Sequence, residues 1–132
     1  MGHQLPYLGA LQVDALFAPD AAVAASSDPS TNPVVQLGPA VGDAMVVLQA
    51  VKASAGTSPT LDVKLQHCDT AGGTFADVPD GAFATVTDAA DACAALVFHA
   101  GELKEFVSVA VTVAGASASF PALAVSLLHQ PA

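Results

Sequence analysis

Arginine and tryptophan are absent from this chain, and its only basic side chains apart from histidine are Lys52, Lys64 and Lys104. Neutralising nucleic-acid phosphates takes clustered Lys and Arg. Three dispersed lysines against a formal net charge of −9 therefore argue against nucleic acid as a partner. The same deficit argues against anionic membrane surfaces, and no run approaches the ~20 uninterrupted apolar residues of a spanning helix. Charge of either sign is scarce: Asp, Glu, Lys and Arg make up 11% of residues, against about 25% in ordinary soluble domains. The surface must be built largely of Ala, Ser, Thr, Gly and apolar groups. Such a surface is expected to be covered in part by neighbouring subunits.

Two cysteines, Cys68 and Cys93, give no disulfide framework. One bridge between them is geometrically allowed, but two free, small residues of core or interface is the plainer reading. His67 and Cys68 are adjacent on an alternating stretch and face opposite sides, while Cys93 and His99 lack zinc-ligand spacing. Asp69, Asp77, Asp80, Asp88 and Asp91 gather in loop-like sequence. Oxygen-rich loops bind calcium, yet the alternating Asp pattern of the common calcium loop is missing; turn formation and solvation explain these acids better. No nucleophile elbow or Ser/His/Asp arrangement is visible. Ala71-Gly72-Gly73-Thr74 lacks the lysine and helix that follow a phosphate loop. No catalytic, cofactor or metal residue is assigned, and the chain is read as a non-enzyme. Ala22–Ser26 looks like a small-residue cleavage site, but no basic segment leads it and Asp14 and Asp20 interrupt the apolar stretch. The expectation is a mature chain starting at or near Met1.

A length of 132 residues suits one domain. Residues 1–9, with Pro6 and Gly9 around Leu5, Tyr7 and Leu8, read as an apolar arm, and residues 10–132 as a single domain. Its centre is Thr60–Thr87. Leu61, Val63, Leu65 and His67 alternate with Asp62, Lys64, Gln66 and Cys68, the period of a strand with one buried face. Gly72-Gly73 reverses the chain, which returns through Phe75, Val78, Phe83 and Val86, broken by a turn at Pro79-Asp80-Gly81.

Around this centre the pattern predicts further strands. Residues 10–17 alternate Leu11, Val13 and Ala15 with Gln12, Asp14 and Leu16; Asp20–Ser27 is a short strand or a helical turn; Ser26–Pro33 is a loop. Val34, Val35 and Leu37 make a short apolar run, Ala44–Ala53 suits a well-covered strand with helix as the alternative for such a run, and Ala55–Pro59 is a turn. Within Asp88–Ala100 a capped helix competes with a strand at Ala95–Phe98, and the all-β context favours the strand. Phe106–Ala114 puts Val107, Val109, Val111 and Val113 on one face; Gly115–Ser119 is a turn and Ala122–Leu128 the last strand. About eight short strands joined by Gly/Pro/Ser/Asp turns predict an all-β fold, an antiparallel β-sandwich or jelly roll.

The segments LDVKLQHCDTAGGTFADVPDGAFATVT (61–87) and LKEFVSVAVTVAGASASFPALAV (103–125) resemble a family of small virion proteins of tailed bacteriophages, the head decoration or cement subunits. The shared features are a strand of the form TLDVKLQHSD, a turn into GTFADVPDGAFATVT, and a later RYVRVAVTVGG strand followed by a proline-marked one. Cys68 stands where that family often has serine, and Lys104–Ser108 replaces an arginine-bearing segment. The resemblance implies a subunit on the outer capsid surface of the virion that binds the major capsid protein and oligomerises with itself, a trimer being one such arrangement. Leu5, Tyr7 and Leu8 are then the candidate interface residues. The competing reading is a carbohydrate- or receptor-binding module of a tail or fibre. Against it, Trp is absent, there is one Tyr, and the six Phe fall mostly at strand positions. Deleting residues 1–9 is expected to weaken capsid binding or self-association while leaving the circular-dichroism spectrum and melting cooperativity unchanged. Undiminished assembly of the truncated chain removes the arm from the interface.

Overall fold

The computed structural model describes residues 12–19, 21–37, 42–99 and 101–129; Leu5, Tyr7 and Leu8 lie outside them. Eight strands occur in the order β1 Gln12–Phe17, β2 Val35–Gln36, β3 Ala44–Ala50, β4 Ala55–Cys68, β5 Ala76–Ala82, β6 Ala92–Phe98, β7 Phe106–Ser119 and β8 Leu123–His129. They form two four-stranded antiparallel sheets, β1-β8-β3-β6 and β2-β7-β4-β5. The sheets pack on each other around one hydrophobic cluster. The fold is a β-sandwich, as the strand count and turn spacing predict. Its pairing is nested: β1 with β8, β2 with β7, β3 with β6 and β4 with β5.

The period-two faces account for the core. Leu61, Val63, Leu65 and His67 of β4 are all buried, as are Val107, Val109 and Val111 of β7, with Val113 packed at the margin. From the other sheet come Val46 and Leu48 of β3, Val125 and Leu127 of β8, and Leu16 of β1. Phe98 and Phe120 fill the space between them. Fully burying each Val, Leu or Phe contributes about 1.5–3 kcal/mol, so the interior is held by many equivalent contacts. In β1 the inward set is the one containing Leu16, and Val13 faces out.

Several expected turns are strand. Ala55–Pro59 and Gly115–Ser119 lie inside β4 and β7, opposite one another, with register shifts between Ala55 and Thr57 and between Thr57 and Thr60. The turn-forming residues serve as paired bulges. Gly56, Ser58, Gly115 and Ser117 have φ of 118°, 46°, 103° and 55°. A bulge absorbs its extra residue in the left-handed region and the ladder resumes beyond it. Pro79-Asp80-Gly81 likewise sits within β5, where Asp80 has φ 58° and the register to β4 shifts. β3 ends at Ala50, short of the expected Ala53.

Residues 21–34 form neither a helix nor a continuous strand. Val23 exchanges backbone hydrogen bonds with Phe120 (2.8 and 2.9 Å) and Ser27 with Val111 (2.9 and 2.8 Å). The Asn32 amide donates to Val109 O (2.9 Å), Ser108 Oγ donates to Pro33 O (2.7 Å), and Val113 N donates to Ser26 Oγ (2.9 Å). These bonds hold residues 21–27 along β7 and override the helical propensity of their alanines. A turn at Asp28–Asn32, closed by Thr31 N and Asn32 N donating to Asp28 O (3.0 and 2.9 Å), leads back toward β2. The segment Asp88–Ala100 resolves as the strand alternative, β6, which starts earlier than Ala95.

Gly115 tests the bulge. A Cβ there would lie 2.8 Å from Thr57 O and 2.9 Å from Pro59 Cα, at φ 103°. Gly115→Ala is expected to cost ~1–3 kcal/mol in urea unfolding through strain at a glycine-only conformation. Gly72→Ala, at φ 71° with no atom within 4 Å of the new Cβ, is expected to cost about 1 kcal/mol.

Candidate functional site

Two surfaces differ sharply in chemistry. On the sheet β2-β7-β4-β5, a groove of about 920 Å³ runs between the 26–34 segment and the 71–75 loop. Its floor is Lys64 and Gln66 of β4 with Ala110 and Thr112 of β7, positions that alternate with the buried ones. Phe75 and Phe106, both half-buried, line it as well. Lys64 Nζ pairs with Asp77 Oδ1 at 3.0 Å, and the Gln66 amide donates to the same oxygen at 2.8 Å. Those hydrogen bonds, Gln66 first and then Lys64, hold the Asp77 carboxyl below its ordinary range. On one wall Asp28 accepts from Ser30 N (2.9 Å) and Ser30 Oγ, which lowers its pKa too. The charges on the floor are thus mutually compensated. The groove offers apolar rings beside hydroxyl and amide groups.

The outer face of β1-β8-β3-β6 is the opposite case. Cα register aligns Val13, Leu128, Met45 and Val97 in one row across all four strands. Ala15, Ser126, Val47 and Ala95 form the next row, and Ala124, Gln49 and Cys93 a third. None of these side chains is Asp, Glu, Lys, Arg or His. Val13, Val97 and Met45 are 61%, 59% and 39% exposed. On an acidic chain, an apolar face kept free of ionic groups marks a surface suited to contact.

Two buried histidines brace the sandwich. His129, 2% exposed at the end of β8, contacts Asp14 Oδ2 through Nε2 at 2.8 Å, and Gln12 donates to that same oxygen at 2.9 Å. This ties β1 to β8. No sequence signal links residues so far apart, because the contact exists only through strand pairing. His67 on β4, which alternation places inside, accepts from Lys104 N through Nδ1 (3.2 Å). Burial, and then the Lys104 charge, push its pKa down from 6.5, with Asp69 opposing in part.

Cys68 is buried and Cys93 exposed, and both are free thiols. The Cys68 thiol contacts Thr70 O at 3.2 Å. Among the described residues no group of three His, Cys, Asp or Glu side chains converges. The acids Asp69, Asp77 and Asp91 are each held separately, by Lys104 (3.7 Å), Lys64 and the Lys52 N–H. No family model matches the sequence, and no curated protein matches it significantly.

A histidine held neutral in the fold gives stability that is complete above its unfolded pKa. That stability is lost as pH falls toward the depressed folded value, because the unfolded chain binds the proton first. Wild-type stability is therefore expected to fall between about pH 7.5 and 5 more than that of His67→Asn, whose carbonyl can still accept from Lys104 N. Urea midpoints measured across that range check the difference, which should vanish if His67 does not titrate.

Proposed function

We propose that this chain is a structural virion protein. It acts as a decoration or cement subunit that binds the outer surface of a tailed-phage head and stabilises it through contacts with the major capsid protein and with its own copies. The observation that carries the reading is the ion-free outer face of β1-β8-β3-β6 on a chain of net charge −9. A subunit that works by adhesion needs broad burial of area rather than a reactive pocket. The acidic balance keeps such a subunit away from packaged nucleic acid. The segments that resemble decoration proteins supply most of β4, β5 and β7, the sheet that backs this face, and the start of β8 within it. The nested strand pairing supports reading the sandwich as a jelly roll, the fold that resemblance implies.

A second reading rests on the groove. Phe75 and Phe106, beside the hydroxyls of Ser26, Ser30 and Thr112, suit a neutral, polyhydroxylated ligand such as a glycan of a cell-surface receptor. The two readings use different sheets, so substitutions separate them.

Heads assembled from a tailed-phage major capsid protein provide the test. Co-sedimentation is expected to saturate at a fixed ratio and to raise the temperature of head disruption. Met45→Glu on the outer face should weaken binding at least about tenfold, while Phe75→Ala leaves it unchanged. Glycan-array binding abolished by Phe75→Ala, with no binding to heads, overturns the decoration reading in favour of the second.

A further inference from the structure

We propose that β6 is an open docking edge on which a second copy of this chain adds its own β6, antiparallel, about a two-fold axis passing beside Ala95. The inference takes self-association from the proposed function and does not depend on the capsid.

The sheet edges are β1, β6, β2 and β5, and natural proteins blunt such edges to prevent unwanted pairing. β5 carries Pro79, Asp77, Asp80 and a register shift. β1 is broken by a register shift between Ala15 and Phe17 and contains Asp14. β2 is two residues long. β6 has none of these devices. Its sequence ACAALVF holds no charge, proline or glycine, and it pairs with β3 in unbroken register from Ala92 to Phe98. Among the described residues no strand lies on its other side.

The ends of β6 specify the occupant and the register. With Ala95 opposite Ala95 of the second copy, Cys93 meets Val97, Ala92 meets Phe98, and Asp91 meets His99 at both ends. Opposite charges face each other there whenever His99 is protonated, and the Glu102 carboxylate, which accepts from His99 N at 2.6 Å, stands at the same end. Shifting the axis to Ala94 or Leu96 sets Asp91 against Val97 or Gly101 and loses the match. Within one copy His99 Nδ1 lies 3.6 Å from Asp43 Oδ1 and Asp91 Oδ1 accepts from Lys52 N, contacts with the residues flanking β3 that the second copy's end groups would share or replace. The axis stands perpendicular to the sheet, so outward residues stay outward in both copies. Two ion-free faces then join into one eight-stranded surface. A two-fold contact of this kind closes a dimer.

Mass measurement by light scattering, from micromolar to about 1 mM, tests this on the full chain. The wild type is expected to reach dimer mass. Ala95→Lys and Ala95→Glu each place like charges opposite one another at an exposed position. Each alone should lower the association constant at least about tenfold, and mixing the two variants should restore the dimer. Under mild oxidation, Ala95→Cys combined with Cys93→Ser should form a disulfide dimer, and Ala124→Cys with Cys93→Ser should not. A wild type that stays monomeric overturns the proposal. So does a trimer or other oligomer indifferent to both Ala95 substitutions, or amide-exchange protection of the outer β6 edge in a monomer, which would mean that the chain covers this edge itself. A β6 dimer that ignores phage heads sinks the decoration reading alone. Head binding by a chain that never pairs through β6 sinks this inference alone.

Discussion

The ladder between β4 and β7 is the constraint on which the other elements depend. These two fourteen-residue strands pair from Cys68 opposite Phe106 to Ala55 opposite Ser119. Their inward residues form the floor of the core, and their free edges accept everything else in that sheet. β5 pairs along β4, while β2 and the 21–34 segment attach to β7 through scattered backbone and side-chain bonds. The bulges around Gly56 and Gly115 let both strands run on past residues that would otherwise end them. Bulges also bend and twist a strand, which helps it pass along a second sheet. The opposite sheet closes the core with Leu16, Val46, Leu48, Val125 and Leu127.

Scarcity of charge acts differently on the two sheets. On the side of β2-β7-β4-β5 two lysines are paired locally, Lys64 with Asp77 and Lys104 with Asp69, and Asp62 accepts from the Thr85 hydroxyl. On β1-β8-β3-β6 the outer face has no ionic group, and its acid Asp14 turns inward to His129. Exposed pairs of this kind contribute little to stability. The result is a groove whose floor charges cancel on one side and an apolar plane on the other. The two proposed readings divide along that segregation, adhesion being assigned to the plane and ligand recognition to the groove.

Much of the fold was legible because a buried strand face leaves a period-two record. The alternation of Leu61–His67 and the valines of Phe106–Ala114 gave the two central strands and their inward sides directly. The same logic misjudged glycine, serine and proline. At Ala55–Pro59, Gly115–Ser119 and Pro79–Gly81 these residues relax the backbone within strands rather than reverse the chain. A positive φ serves a bulge as well as a turn, and only the partner strand tells them apart. The candidate interface in the first nine residues rested on apolar content, and it falls outside the described structure. The candidate surfaces found instead could not be read locally, because Val13, Leu128, Met45 and Val97 are scattered along the chain and meet only through register.

Composition and periodicity by themselves determined that this is an all-β chain with a Val/Leu core, three lysines as its only cations apart from histidine, and too little charge to cover its whole surface. Tertiary structure alone decided which sheet each strand joins, that Asp14 meets His129, and that the uncharged positions share one face and end at an unguarded edge. The physical reason is range. Alternation is imposed on neighbouring residues by backbone geometry, whereas pairing partners and edges are chosen by contacts between residues far apart in sequence, which leave no local imprint.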